Sequence, residues 1–119
     1  MATTTTSETP VIDTLTAMTA ESIARSDLDA AQLLSARLAA LAAVQAPPAS
    51  YLMHIGPAID AGVTLEDVQH TLVAVSPIIG TSRTLEAAMN ITEALGVAVT
   101  ALAAEIEAGL NGDGASADA

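Results

Sequence analysis

Apolar residues recur along this chain at the three- and four-residue intervals of helices, and no stretch alternates as a strand would. Ile12, Leu15, Met18 and Ile23 mark a first amphipathic helix. Thr9 is expected to cap it, Pro10 suits its first position, and it should stop near Ser26. Asp29 with Gln32 three residues later predicts a capping pair opening a second helix through "AAQLLSARLAALAAV". That helix must end by Ala46, because Pro47 disfavours helical backbone in the residue before it. Pro48 fits the first turn of a third helix that runs to Gly62. Within it, Pro57 cannot donate to the Met53 carbonyl and is expected to kink the helix. Thr64 with Glu66 and Asp67 opens a fourth helix, "LEDVQHTLVAVSPII", strained at Pro77 and closed by Gly80. A fifth runs from Ser82 to about Ala108. In it, Leu95, Val99, Leu102 and Ile106 are spaced by four, three and four, a coiled-coil-like seam. Residues 1–9 are low in complexity and residues 111–119, "NGDGASADA", are acidic, so both ends are expected to be disordered. The pattern predicts one all-α domain of about five helices over residues 10–110.

Composition changes this picture in one respect. Of the 119 residues, 51% are hydrophobic, yet 1% are aromatic, with no Phe or Trp. Alanine fills the gap, so the helices should pack by close approach rather than around bulky anchors. A core this thin favours burying further apolar area between subunits. Leu38 to Ile59 carries no Asp, Glu, Lys or Arg and is nominally long enough to span a bilayer. Gln45, Pro47, Pro48, His54 and Pro57 interrupt it, which makes it buried helix rather than lipid-facing helix.

Charge excludes some partners. Fourteen acidic residues against three arginines and no lysine give a net charge of −11. Such a polyanion repels phosphate backbones and anionic lipid, so neither nucleic acid nor a membrane surface is an expected partner. No basic, apolar leader opens the sequence, and a cytoplasmic setting is the expectation. There is no cysteine, hence no disulfide, no thiolate nucleophile and no thiolate metal site.

The candidate chemistry gathers in Ala46–Gly62, "APPASYLMHIGPAIDAG", which holds the chain's single tyrosine and one of its two histidines. His54 is either a general acid/base beside the unbonded Met53 carbonyl or a hydrogen-bonded corner residue under Pro48. Ser50 either bonds a ligand or caps the helix turn. Tyr51 either meets a ligand or anchors the packing with its hydroxyl at the rim. Arg37 interrupts an otherwise apolar helix, where a charge needs a partner. With Arg83 it could hold a small carboxylate beside His54, or it could pair with an acid across a subunit interface. His70 follows Glu66 and Asp67 at pairing distance on a helix and is expected in a surface pair. A metal site from His54 and His70 lacks a third ligand, so neither metal nor cofactor is expected.

From Leu28 to Leu95 the order of signals resembles the carboxymuconolactone decarboxylase and alkyl hydroperoxidase D superfamily. The likeness rests on "LDAAQLLSARLAALAAV", on His54 eight positions before Gly62, on the "VTLEDV" helix start, and on the "GTSRTLEAAMNI" turn with Arg83. It implies a helical, oligomeric protein, a trimer or hexamer. The peroxidase branch carries two cysteines at positions that fall on Pro47 and Ser50 here, and a proton-relaying glutamate that falls on Ser35. The decarboxylase branch often has a second histidine, at Ala74 in this chain. Without thiols there is no peroxide reduction. The resemblance therefore leaves two function classes. One is non-redox acid/base chemistry on a small, carboxylate- or lactone-like molecule at His54, with Ser50, Tyr51, Arg37 and Arg83 as ligand contacts. The other is a degenerate homo-oligomeric scaffold or interaction module.

Overall fold

The protein, seen in a computed structural model, is described over residues 6–117, with side-chain environments through Asn111. Five helices follow one another: α1 Pro10–Arg25, α2 Ala30–Ala43, α3 Pro48–Asp60, α4 Leu65–Ile79 and α5 Thr81–Ala117. No strand occurs among the described residues. Residues 1–5 of the low-complexity segment and 118–119 of the tail lie outside the described residues. Helix α5 continues through Asn111–Ala117, past the end expected near Ala108. Each added residue gains one backbone hydrogen bond, so a formed helix propagates through polar sequence that would never nucleate one.

The predicted caps form at two of the three helix starts. Asp29 accepts the Gln32 amide at 2.8 Å while Gln32 Oε1 accepts the Asp29 amide at 3.2 Å. Thr64 and Asp67 close the same reciprocal box at the start of α4, at 3.0 and 2.9 Å. Thr9 holds the N-cap position of α1 without capping it. Its hydroxyl donates instead to the Asp13 carboxylate at 3.1 Å. The short reach from a threonine to an acid one turn ahead competes with the backbone amides.

The Asp67 carboxyl is held below its ordinary value, first by the Thr64 amide, then by the Thr64 hydroxyl, with a smaller contribution from His70. A carboxyl lowered in the folded state contributes stability that is complete above its ordinary value and is lost below that, as pH falls through the lowered folded-state value. Thr64→Ala should cost about 1 kcal/mol at neutral pH. It should also reduce, in part, the loss of melting temperature on acidification below about pH 4, because the Thr64 amide, the larger cause, remains. Thermal melts of both proteins across pH 3–7 check this.

Two corners are fixed by left-handed backbone. After α3, Gly62 sits at φ 80°. The Val63 amide reaches the Ala58 carbonyl at 2.9 Å and the Gly62 amide reaches Ile59 at 3.0 Å, a Schellman closure. The α2 end closes in the same way, with Gln45 at φ 58° in the glycine position. Gln45 Nε2 bonds Glu86 at 3.2 Å and Asn90 Nδ2 bonds the Ala46 carbonyl at 3.1 Å, so α5 holds this corner. Between α4 and α5, Gly80 has φ 90° and ψ 166°, a region open essentially to glycine alone. A Cβ there would meet no atom within 4 Å. Gly80→Ala should therefore lose about 1–3 kcal/mol through the backbone alone. Urea unfolding of the variant measures it, and an unchanged midpoint would show that the turn relaxes freely.

Both internal prolines are carried inside continuous helices. Pro77 leaves the Val73 carbonyl without its helical donor, and Ser76 Oγ supplies one at 3.0 Å.

The core forms where α2, α3, α4 and α5 converge. Leu38, Ala42, Ala46, Tyr51, Leu72, Ala87, Ile91 and Ala94 make its main cluster. Leu33, Leu34 and Ala58 make a second. Of the eleven buried hydrophobic residues five are alanines, which is the close helix approach the composition predicts. The uncharged stretch from Leu38 to Ile59 is split between α2 and α3 around the Pro47 corner and contributes five of those eleven residues. In α5, Thr81–Asn111 is long and apolar enough to cross a membrane. In its first half Ala87, Ile91 and Ala94 are buried in the core, while most of the span is exposed in the single chain. Helix α1 contributes no buried residue.

Candidate functional site

His54 stands on α3 in the wall between two cavities. Its ring is half-buried, and Nδ1 lies 2.7 Å from the Ser50 carbonyl, one turn earlier. A carbonyl only accepts, so Nδ1 carries the proton and a neutral ring keeps Nε2 as a free acceptor. The contribution of Ser50 to the site is thus its carbonyl, which sets the tautomer of His54.

The first cavity, about 180 Å³, lies among α2, α3, α4 and α5. Its walls are aliphatic apart from Tyr51, His54 and Thr64, with Ile55, Ile91 and Leu95 among them. The second, about 530 Å³, opens between α1, α2 and α3. It brings His54 together with Arg37 and Asp60, over a floor that includes Leu33, Leu34 and Met53. Arg37 is half-buried, and its Nη2 donates to Ser22 Oγ at 3.0 Å, tying α1 to α2. Among the described residues no carboxylate lies within 4 Å of Arg37, so it makes no ion pair, with Asp60 elsewhere on the same cavity wall.

The predicted set is therefore only partly assembled. His54 and Arg37 share a cavity. Arg83 does not join them; it is exposed in the first turn of α5 and lines neither cavity. Tyr51 also differs from expectation. Its hydroxyl is not at the rim but buried, with the residue 3% exposed and the oxygen without a hydrogen-bond partner. Burial, and then the negative charge of Glu86, raise its pKa, so the phenol stays neutral. Because the oxygen is sealed from solvent, a molecule in the first cavity meets the ring of Tyr51 rather than its hydroxyl. His70 takes the surface position expected of it, with Nε2 3.7 Å from Glu66.

Sequence reasoning missed Asp60 and Ser22. Asp60 follows Pro57 without any pattern pointing inward. Ser22 lies fifteen positions from Arg37 on another helix, and no local spacing announces such a bond.

A family model for the carboxymuconolactone decarboxylase family matches residues 10–94. The chain belongs to this family, and it is a cysteine-free member of it. The match takes in α1 to α4 and the first part of α5, through Ala94. No curated protein and no solved structure matches the chain.

Proposed function

We propose that this chain binds a small carboxylate- or lactone-like molecule in the cavity between α1, α2 and α3, where His54 performs non-redox acid/base chemistry on it. The observation that carries this reading is an imidazole of fixed tautomer sharing one cavity wall with a guanidinium that makes no ion pair. A guanidinium holds a planar carboxylate through two parallel hydrogen bonds. The free Nε2 of His54 is then the group able to take a proton from carbon beside a carbonyl and return it. Asp60 adds a negative charge to the same wall and disfavours a second anionic group on the ligand. The absence of thiols directs the chemistry away from peroxide reduction. A net charge of −11, which repels anionic lipid, supports a cytosolic setting.

The test is deuterium uptake in D2O at the carbon next to the carbonyl of a small γ-lactone carboxylate, followed by proton NMR. Uptake should scale with wild-type protein and fall by roughly 10²–10⁴ in His54→Asn. Melting of that variant should be nearly unchanged, because the change removes one local bond to a carbonyl already within a helix. Equal uptake by wild type, variant and buffer contradicts the reading.

A further inference from the structure

The two cavities on either side of His54 differ in kind. The one between α1, α2 and α3 carries charge on its wall, in Arg37 and Asp60. No charged side chain lines the other. Its floor is buried core, with Leu38 from α2, Tyr51 and Ala58 from α3, and Ile91 from α5. Its rim holds Ile59 and Leu65, which are 68% and 58% exposed. The space is therefore apolar from rim to floor, and four helices shape it.

The few polar atoms in its lining are largely spoken for. The Tyr51 hydroxyl is sealed away from the space. The Thr64 hydroxyl accepts the Asp67 amide at 3.0 Å as part of the capping box. His54 commits Nδ1 to the Ser50 carbonyl at 2.7 Å. What stays free, Nε2 of His54 and the hydroxyl proton of Thr64, are single neutral groups that cannot replace the hydration of an ion. A carboxylate or ammonium entering here would surrender its water with no opposite charge in return. Size narrows the guest further. At about 180 Å³ the cavity exceeds the roughly 150 Å³ that suffices for benzene.

We propose that this cavity is a second ligand site, one that takes a small uncharged molecule of hydrocarbon character and about the size of benzene. Binding is driven by the apolar area removed from water on both sides, since the guest covers Ile59 and Leu65 as it fills the space below them. Selectivity against ions follows from the absence of any charge in the lining. The site uses neither the Arg37 guanidinium nor proton transfer at His54, so it stands whether or not the acid/base reading does.

Benzene is the probe and benzoate its charged counterpart, each titrated into the whole chain and followed by NMR. Tyr51 is the single tyrosine and there is no Phe or Trp, so its ring signals report on the cavity without overlap. Benzene should shift the Tyr51 ring protons and the Ile91 and Leu95 methyls saturably, and benzoate should leave them in place. Met53, on the wall of the other cavity, and the exposed Val11 of α1 should not move with benzene. Arg37→Met should keep the benzene response in full, which separates this site from the carboxylate cavity. Val68→Phe, which sets a ring into the space from α4, should abolish it. If that variant loses its helical circular dichroism, Leu95→Phe fills the same space from α5 and should abolish the response instead. Shifts that grow linearly without saturating, or that are as large at Val11 and Met53 as at Tyr51, would overturn the proposal. Benzoate acting as well as benzene, or a full response in a folded filled variant, would overturn it too.

Discussion

Replacing Tyr51 with alanine is expected to remove about 3–5 kcal/mol of stability, a large share of the roughly 5–15 kcal/mol of a typical domain. Tyr51 is the one aromatic ring in a core otherwise made of leucine, isoleucine and alanine. The alanines around it, Ala42, Ala46 and Ala87, have no side-chain freedom with which to fill the space it would vacate. Tyr51→Phe should behave in the opposite way. The hydroxyl is buried without a partner, and leaving a buried polar group unpaired costs about 1–3 kcal/mol. Its removal should leave the melting temperature unchanged or raise it. Calorimetry on the two variants separates ring from hydroxyl. A phenylalanine variant that melts lower than wild type would show that the oxygen finds a partner in solution.

Ile91→Ala is expected to cost about 2–5 kcal/mol. Ile91 is buried where α5 crosses α3, and it also forms part of the wall of the aliphatic cavity. Truncation therefore enlarges a space already about 180 Å³ in volume. The space is apolar and partly open to solvent, and of a size that takes up benzene. Benzene should accordingly raise the melting temperature of Ile91→Ala more than that of wild type. Urea titrations with and without benzene measure both effects, and a loss below about 1 kcal/mol would mean that the helices close the gap.

What the sequence made legible follows from how local each signal is. The helices α1 to α4 were readable to within a few residues because caps, prolines and glycines act on their immediate neighbours. Asp29 with Gln32 and Thr64 with Asp67 are complete sentences within four residues. Thr9 shows the limit, because the same residue type had a competing partner in Asp13. Gln45 shows another, since nothing in its identity announces a left-handed backbone. That conformation is imposed by the Pro47 corner and by its bond to Glu86.

The site was legible as a neighbourhood rather than as a geometry. His54 could be singled out by its place in "APPASYLMHIGPAIDAG" and by the family likeness. Which arginine would stand near it depended on how helices distant in sequence pack. Arg37 on α2 was brought to its cavity and Arg83 on α5 was not. The buried hydroxyl of Tyr51 was likewise unreadable, because burial of one atom depends on the exact approach of α5. The seam at Leu95–Ile106 was plain as a pattern. That it stands free in the single chain could be learned only from where the core stops.

The central claim is that His54 and Arg37 together hold a small carboxylate. Its most direct test is a titration of the wild-type protein with a small γ-lactone carboxylate, observing the His54 ring protons by NMR. The account predicts a saturable shift of the His54 resonances that is lost in Arg37→Met, with the His70 resonances unmoved in both proteins. A His54 ring that never responds, or that responds equally well without the Arg37 guanidinium, would contradict it.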